Sequence, residues 1–429
     1  MLINFSIENY LSFQQKIKLN LRAGTIKEHQ SENTFTPNVA SEVRLLKSIG
    51  IFGANGSGKT NILKSFVFMR NFVLNSSKES NANSAIPVQP FLLSTFSGKK
   101  ASTFEVSFYI EHGKFRYGFS VDEERVFSEW LFQTVKSKEE KLFIRAEQSY
   151  SFGKDFRYRI KDKLILFTEF TRPNALFASV LSQFNDELFK SISAWFESIF
   201  IAPDLSHLVL VDYTARLMKK DYYKQLINNI IRSADLGIEN VQEVHNEIKS
   251  PNLPFSDLVK NLNYELEGEY KILTKHNVFD DGKNLKDSTH FNLVQNESLG
   301  TQKFFAILGP IIEALNERKI LIIDEIDARL HSLLVERIVS LFNSNKYNPN
   351  GAQLIFTSHN VNLIKKGLRR DQMVFTEKDQ YGECTIGSLY EKDPKVRKDA
   401  SFDKDYLLGK YGSIPKIPTQ LNLFGDLEF

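Results

Sequence analysis

Residues 53–60 read Gly53-Ala54-Asn55-Gly56-Ser57-Gly58-Lys59-Thr60, which is G-x-x-x-x-G-K-[ST] without a mismatch. Such a loop grips nucleotide phosphates because its glycines let successive backbone N–H groups turn inward around the β-phosphate. Lys59 can reach the β- and γ-phosphates, and the Thr60 hydroxyl can hold Mg²⁺. The short apolar run Ser48-Ile49-Gly50-Ile51-Phe52 predicts a strand before the loop. Asn61 to Met69 carries apolar residues at helical spacing, so a helix follows and adds its positive N-terminal end. Strand, glycine loop, helix is the order this chemistry requires, whereas a surface Gly/Ser turn would need neither neighbour.

The chain has 429 residues, enough for two or three structural units and a large core. It is 42% hydrophobic and 25% charged, as soluble proteins are. No apolar run approaches the roughly 20 residues that cross a bilayer, and the opening Met1-Leu2-Ile3-Asn4-Phe5 reads as a first strand, not a leader. Cys384 is the only cysteine, so no internal disulfide forms and a reducing cytoplasm fits. A net charge of +3 is too small to argue nucleic-acid binding by itself. The 36 phenylalanines imply a Phe-rich core.

Alternation at Ile3, Phe5, Ile7 and again at Ile17, Leu19, Leu21 predicts two antiparallel strands. Residues 24–43 and 71–83 read as loops. Residues 103–147 predict a meander turning at Glu111-His112-Gly113-Lys114. From about 172 to 275 the pattern is helical, with Tyr222–Ile231 and Phe255–Leu262 among the candidates and no sustained heptad. After Phe291 helices alternate with the buried runs Ile320–Ile323 and Leu354–Phe356, which suit a parallel sheet. Pro415 and Pro418 suggest an extended tail.

Four further segments belong with the phosphate loop. The run Ile320–Ile323 ends in Asp324-Glu325, which puts Asp324 beside the Mg²⁺ and Glu325 where it can polarise an attacking water. Glu297-Ser298-Leu299-Gly300-Thr301-Gln302 opens a helix; Ser298 is a good N-cap, and Gly300 permits close backbone approach. The functional reading of Ser298, Gly300 and Thr301 is contact with the γ-phosphate of a nucleotide on a second subunit. Asp327-Ala328-Arg329-Leu330-His331 follows the acidic pair. Thr357-Ser358-His359 ends the next apolar run, where His359 can bond a γ-phosphate and register its loss.

This order of motifs resembles the ABC-type ATPases, on their Rad50/SMC/RecF side. Ile7-Glu8-Asn9-Tyr10-Leu11-Ser12-Phe13 resembles that branch's opening, and Asp324-Glu325-Ile326-Asp327-Ala328 its Asp-Glu-x-Asp-Ala stretch. Closer still, Leu330-His331 and the Thr-Ser-His ending are similar to stand-alone ATPases of bacterial abortive-infection and anti-phage systems, the AbiL/RloA-like proteins and the ATPase subunits of PARIS and Septu systems. The resemblance implies an α/β head, with a phosphate-loop core sheet, an antiparallel β subdomain and a helical insertion. The expected segments are an N-terminal lobe at 1–165, the insertion at 166–285 and a C-terminal lobe at 286–429. It implies ATP bound by residues 53–61, Asn61 included, and by Asp327, and in trans by Ser298, Gly300 and Thr301. Mg²⁺ would sit on Thr60 and Asp324, with Gln89 as the candidate glutamine joining metal and water. Glu325, His359 and Lys59 would carry the chemistry. Leu299 stands where many ABC proteins have glycine.

Heads of this type pair head to tail, so a homodimer or higher even oligomer is expected, with ATP in its interface and no membrane partner. The expected function is an ATP-hydrolysing switch in phage defence that holds or releases a separate effector, a nuclease or toxin encoded nearby. The alternative is a RecF-like ATPase of DNA repair or loading, for which Lys365, Lys366, Arg369 and Arg370 form a small basic cluster that nearby acids dilute. A fused nuclease would need a further domain of ~100 residues after His359, and the acids between Glu391 and Asp405 alternate with lysines as a charged surface does. A transporter subunit is disfavoured by the long stretch between Thr60 and Ser298.

Overall fold

The structure is a computed structural model that describes residues 1–37, 43–78, 81, 83–184, 186–202, 207–234, 236–245, 270–365, 367–393 and 401–414. Two large sheets dominate it. The first is antiparallel and built from β1 (Leu2–Glu8), β2 (Ile17–Asn20), β6 (Ser102–Ile110), β7 (Gly113–Val121), β8 (Val126–Val135), β9 (Lys138–Ala146) and β10 (Ser149–Phe152), in the order β10-β9-β8-β7-β6-β1-β2. Gly113, at φ 115°, turns β6 into β7, a conformation that suits glycine. β3 (Thr34–Phe35) and β4 (Leu45–Leu46) form a small separate pair.

The second sheet has the order β11-β15-β16-β5-β17-β18, from β5 (Ser48–Phe52), β11 (Ile199–Ala202), β15 (Ile320–Ile323), β16 (Gln353–Ser358), β17 (Met373–Lys378) and β18 (Cys384–Ser388). All of its pairings are parallel except β17 with β18. Every residue of β5, β15 and β16 is buried, as a parallel sheet covered on both faces requires. Alternate side chains serve two cores. Ile49, Ile51, Ile320, Ile322 and Ile355 face one, while Phe52, Leu321, Ile323, Leu354 and Phe356 face the other.

The helix Lys59–Asn75 ties the sheets together. Its Phe66 stacks on Phe5 at 3.9 Å, and Phe68 lies 4.8 Å from Phe104 and 5.6 Å from Tyr10. Trp195 of the helix Glu187–Glu197 stacks on Phe108 at 4.1 Å, extending this aromatic layer along β6. The phenylalanines thus fill the core beneath the nucleotide loop. The opposite face of the parallel sheet is covered by the helices His207–Met218, Leu299–Glu317 and Ser332–Phe342.

The architecture is the expected mixed α/β fold, with local corrections. The helix after the loop runs to Asn75, as expected to about residue 74, and since Phe72 and Val73 are buried in the core the stretch read as loop from Asn71 begins only after it. Residues 166–285 are not purely helical. They contribute β11 to the central sheet, too short a run to stand out among helices, and most of a second unit, β12 (Asn240–His245), β13 (Tyr270–Phe279) and β14 (Leu285–Asn292), paired β12-β13-β14. A boundary at 285/286 therefore falls inside β14, and one at 165/166 inside the helix Leu164–Phe170. Phe255–Leu262, Pro415 and Pro418 lie outside the described residues.

Candidate nucleotide site

β5 ends at Phe52 and the phosphate loop begins at once. A Cβ on Gly53 would come within 2.3 Å of Thr376 Oγ1 and 2.6 Å of Ser57 Oγ, so only glycine lets the loop fold back against β17. Ser57 and Thr376 share a hydroxyl bond of 2.6 Å. Gly56 and Gly58 have φ of 73° and 96°; Gly58 abuts Cys384, and nothing lies within 4 Å of a Cβ built on Gly56. Asn55 and Gly56 form the exposed lip beside half-buried Ala54. Lys59 is buried, and its Nζ donates to Gly53 O and Ala54 O, each at 2.9 Å. Those two carbonyls are partners that phosphate oxygens can replace.

The N-terminal turn borders the same loop. Asn61 Nδ2 donates to Ser12 Oγ at 2.9 Å, and Cys384 N donates to Ser12 O at 2.8 Å. Leu11 N donates to Gln89 O at 2.9 Å, which places exposed Gln89 on this rim. Thr60 is exposed in the first turn of its helix.

Strand order does the rest. β16 lies between β5 and β15, so the phosphate loop, Thr357–His359 and Asp324–Asp327 leave three neighbouring parallel strands at the same edge. That edge is where open α/β sheets bind ligands. Thr357 Oγ1 donates to Asp324 Oδ1 at 2.5 Å and accepts from Glu325 N at 2.7 Å, while Ile326 N donates to Thr357 O at 3.1 Å. His359 N donates to the Asp327 carboxylate at 3.2 and 3.4 Å. Lys303 Nζ holds Glu325 O at 3.1 Å. Glu325 itself has φ 44°, a left-handed conformation that costs a non-glycine residue on the order of 1 kcal/mol and is fixed here by Thr357 and Lys303.

The charges form one electrostatic unit. Burial lowers the affinity of Lys59 for its proton, and Glu325, Asp324 and Asp327 oppose this. His359 is pushed below its ordinary 6.5, first by burial and then by Lys59, against the pull of Asp327, Glu325 and Asp324. Its imidazole is therefore neutral at pH 7 and able to bond an oxygen without competing as a cation. A folded-state pKa below the unfolded one means that His359 costs stability only as pH falls below about 6.5. An NMR titration of nucleotide-free protein is expected to put the His359 midpoint below 6.5, and a midpoint above it would contradict this electrostatic account.

The structure thus brings together Lys59, Asp324, Glu325, Asp327 and His359. It does not bring Ser298, Gly300 or Thr301 to the same loop. Ser298 caps the helix Leu299–Glu317, its Oγ accepting from Thr301 N at 3.1 Å, and Gly300 packs against Arg329, whose carbonyl would be 2.7 Å from an added Cβ. Ser298 and Leu299 face solvent. Sequence reasoning missed Lys303 and Thr376, because each acts on a residue distant in the chain, and Ser12 was visible only within the opening motif. Thr357 was visible only as part of its motif.

ATP and Mg²⁺ fit these residues. The loop is open over Gly56, the hydrogen bonds of Lys59 go to two carbonyls that phosphate can replace, and the Thr60 hydroxyl and Asp324 carboxylate supply the hard oxygen donors that Mg²⁺ prefers. Among the described residues no group of three or more His, Cys, Asp or Glu side chains could hold a metal, so such an ion would take further oxygens from phosphate and water.

Comparison with curated proteins gives no match. Among solved structures the chain is similar to the SMC head domain from Thermotoga maritima, at 14% identity and a TM-score of 0.38, covering 90% of this chain and 98% of that one. It is also similar to an SMC head bound to the C-winged helix domain of ScpA, at 15% identity and a TM-score of 0.40, covering 90% and 97%. No helix among the described residues is long and apolar enough to cross a membrane. Residues 48–365, from the strand before the phosphate loop to past His359, match one protein family, and the chain belongs to it: the AAA-domain family described as "putative AbiEii toxin, Type IV TA system".

Proposed function

We propose that the chain is an ATP-hydrolysing switch that works as a head-to-tail homodimer in bacterial anti-phage defence, holding or releasing a separate nuclease- or toxin-like effector. The observation that carries the ATPase reading is the convergence of Lys59, Asp324, Glu325, Asp327 and His359 at one sheet edge. The toxin–antitoxin description of the family supports the defence setting.

In this reading residues 53–61 wrap the phosphates and Lys59 exchanges its two carbonyl partners for phosphate oxygens. Glu325 accepts the proton of the attacking water, and neutral His359 bonds the γ-phosphate. Mg²⁺ on Thr60 and Asp324 would offset the phosphate charge when bound. Ser298, Gly300 and Thr301 meet the same γ-phosphate from the other subunit, so ATP favours the closed dimer and its hydrolysis removes that preference. Gln89, on the loop rim, would join the bound Mg²⁺ to the attacking water.

Of the basic cluster named for the DNA-repair alternative, Lys366 and the Lys365 side chain lie outside the described residues, and the two arginines are paired within the chain. Arg369 is fully buried, pairs with Asp371 at 2.8 Å and donates to three carbonyls of the N-terminal segment. Arg370 pairs with Glu28 at 3.0 Å. The test is capture of tagged Glu325→Gln chain from its host, expressed with its neighbouring genes. The expected result is a stoichiometric nuclease- or toxin-like partner, which the unaltered chain releases in an ATP-dependent way and a Lys59→Ala chain does not. Recovery of chromosomal DNA with replication or recombination proteins, and no such partner, overturns the proposal.

A further inference from the structure

Glu297 stands immediately before Ser298 and is held from two directions. Its Oε1 accepts from Thr274 Oγ1 at 2.5 Å and bonds the His276 imidazole Nε2 at 2.7 Å, both on β13. A carboxylate only accepts, so this nitrogen is the donor. The Glu297 carbonyl accepts from Gln302 Nε2 at 2.9 Å, inside the helix that Ser298 caps. Thr274 is fully buried, the His276 and Glu297 side chains are 18% and 11% exposed, and Phe291 of β14 backs the imidazole at 4.8 Å.

Helix capping does not need this arrangement, because Ser298 and Thr301 already supply the cap. What the cluster adds is orientation. It joins the first turn of the helix Leu299–Glu317 to the sheet β12-β13-β14. That sheet is tied in turn to the helix Asp221–Ser233, where Val241 N donates to Asn228 Oδ1 at 2.6 Å. Leu299, between Ser298 and Gly300, is 52% exposed.

We propose that His276 is a positioning residue. Through Glu297 it fixes the orientation in which Ser298–Thr301 meets the γ-phosphate held by the partner subunit. The inference rests on the head-to-tail reading above. The sheet and the signature segment then move as one body.

Mixed dimers test this. A Ser298→Arg chain keeps its phosphate loop and loses its signature, and a Lys59→Ala chain does the reverse. Their mixture holds one working site, with the signature supplied by the Lys59→Ala chain. His276→Ala placed on that chain is expected to raise half-saturating ATP about tenfold, the effect of losing one hydrogen bond to a charged group. The same change on the Ser298→Arg chain is expected to have no effect. His276→Gln, which keeps an N–H donor, is expected to restore most of the loss. An equal effect in both placements, or none in either, overturns the inference. A mixture without the His276 change that fails to hydrolyse ATP removes the head-to-tail reading, and the inference with it.

Discussion

Glu325→Gln is expected to lower kcat for ATP hydrolysis about 10²–10⁴-fold while leaving ATP binding intact. The amide keeps the size and position of the carboxylate but cannot accept a proton from water. The backbone around it is unusually well held. Glu325 N is fixed by Thr357 Oγ1, Glu325 O by Lys303 Nζ, and the left-handed φ of 44° turns the side chain away from the regular path of β15. The substitution therefore removes chemistry without loosening geometry. Asp324, one residue earlier, is bonded to Thr357 Oγ1 and is less available as a base. Single-turnover hydrolysis with radiolabelled ATP measures the effect, and a Glu325→Gln chain that hydrolyses at the normal rate removes Glu325 from its role.

Arg145→Met is expected to destabilise the fold by about 3–5 kcal/mol, the usual result of leaving one partner of a buried ion pair alone. Arg145 and Glu129 are fully buried, with Nη1 and Oε2 3.6 Å apart. Arg145 also donates to Ala175 O at 2.6 Å, Arg172 O at 3.1 Å and Glu147 O at 2.7 Å. Glu129 accepts from Tyr117 OH, Phe177 N and Ala178 N at 2.9, 2.6 and 2.9 Å. The pair thus pins residues 172–178 to β8 and β9.

Burial raises the Glu129 pKa above its ordinary 4.5, and Arg145 is the main group opposing that rise. Without Arg145 the folded-state pKa rises further. A raised pKa favours the folded protein only where the carboxyl is protonated, so the variant loses most at neutral and alkaline pH. Its deficit shrinks as pH falls toward 4.5. Urea unfolding at pH 7 and pH 5 checks both size and sign. A loss under ~1 kcal/mol, or one independent of pH, contradicts this account.

The contrast between these residues shows what the sequence could reveal. Gly53, Gly58 and Lys59 were legible because phosphate binding and tight loop geometry permit few other residues at those places. Strand order was legible in part. Ile320–Ile323 and Leu354–Phe356 are apolar on both faces, as buried parallel strands are. β11 has only four residues and lies between helices, so no periodicity marks it. Glu129 was the harder case. Within β8 it shares a face with buried Leu131, yet an acid in an alternating strand reads as solvent-facing until its arginine partner on β9 is seen. Lys303 and His276 were hidden for the same reason. Each acts through a contact that only the fold creates, with Glu325 and Glu297 respectively.

Ser298 and Thr301 differ from both groups. Their motif marks them, but the contacts they make within the chain are those of an ordinary helix cap. Their proposed role requires a second subunit. The mass of Glu325→Gln protein in solution, measured by light scattering with ATP and Mg²⁺ and again with ADP, tests this most directly. The account predicts a doubling of mass with ATP alone, abolished by adding Ser298→Arg. A mass that is the same with ATP and ADP would contradict it.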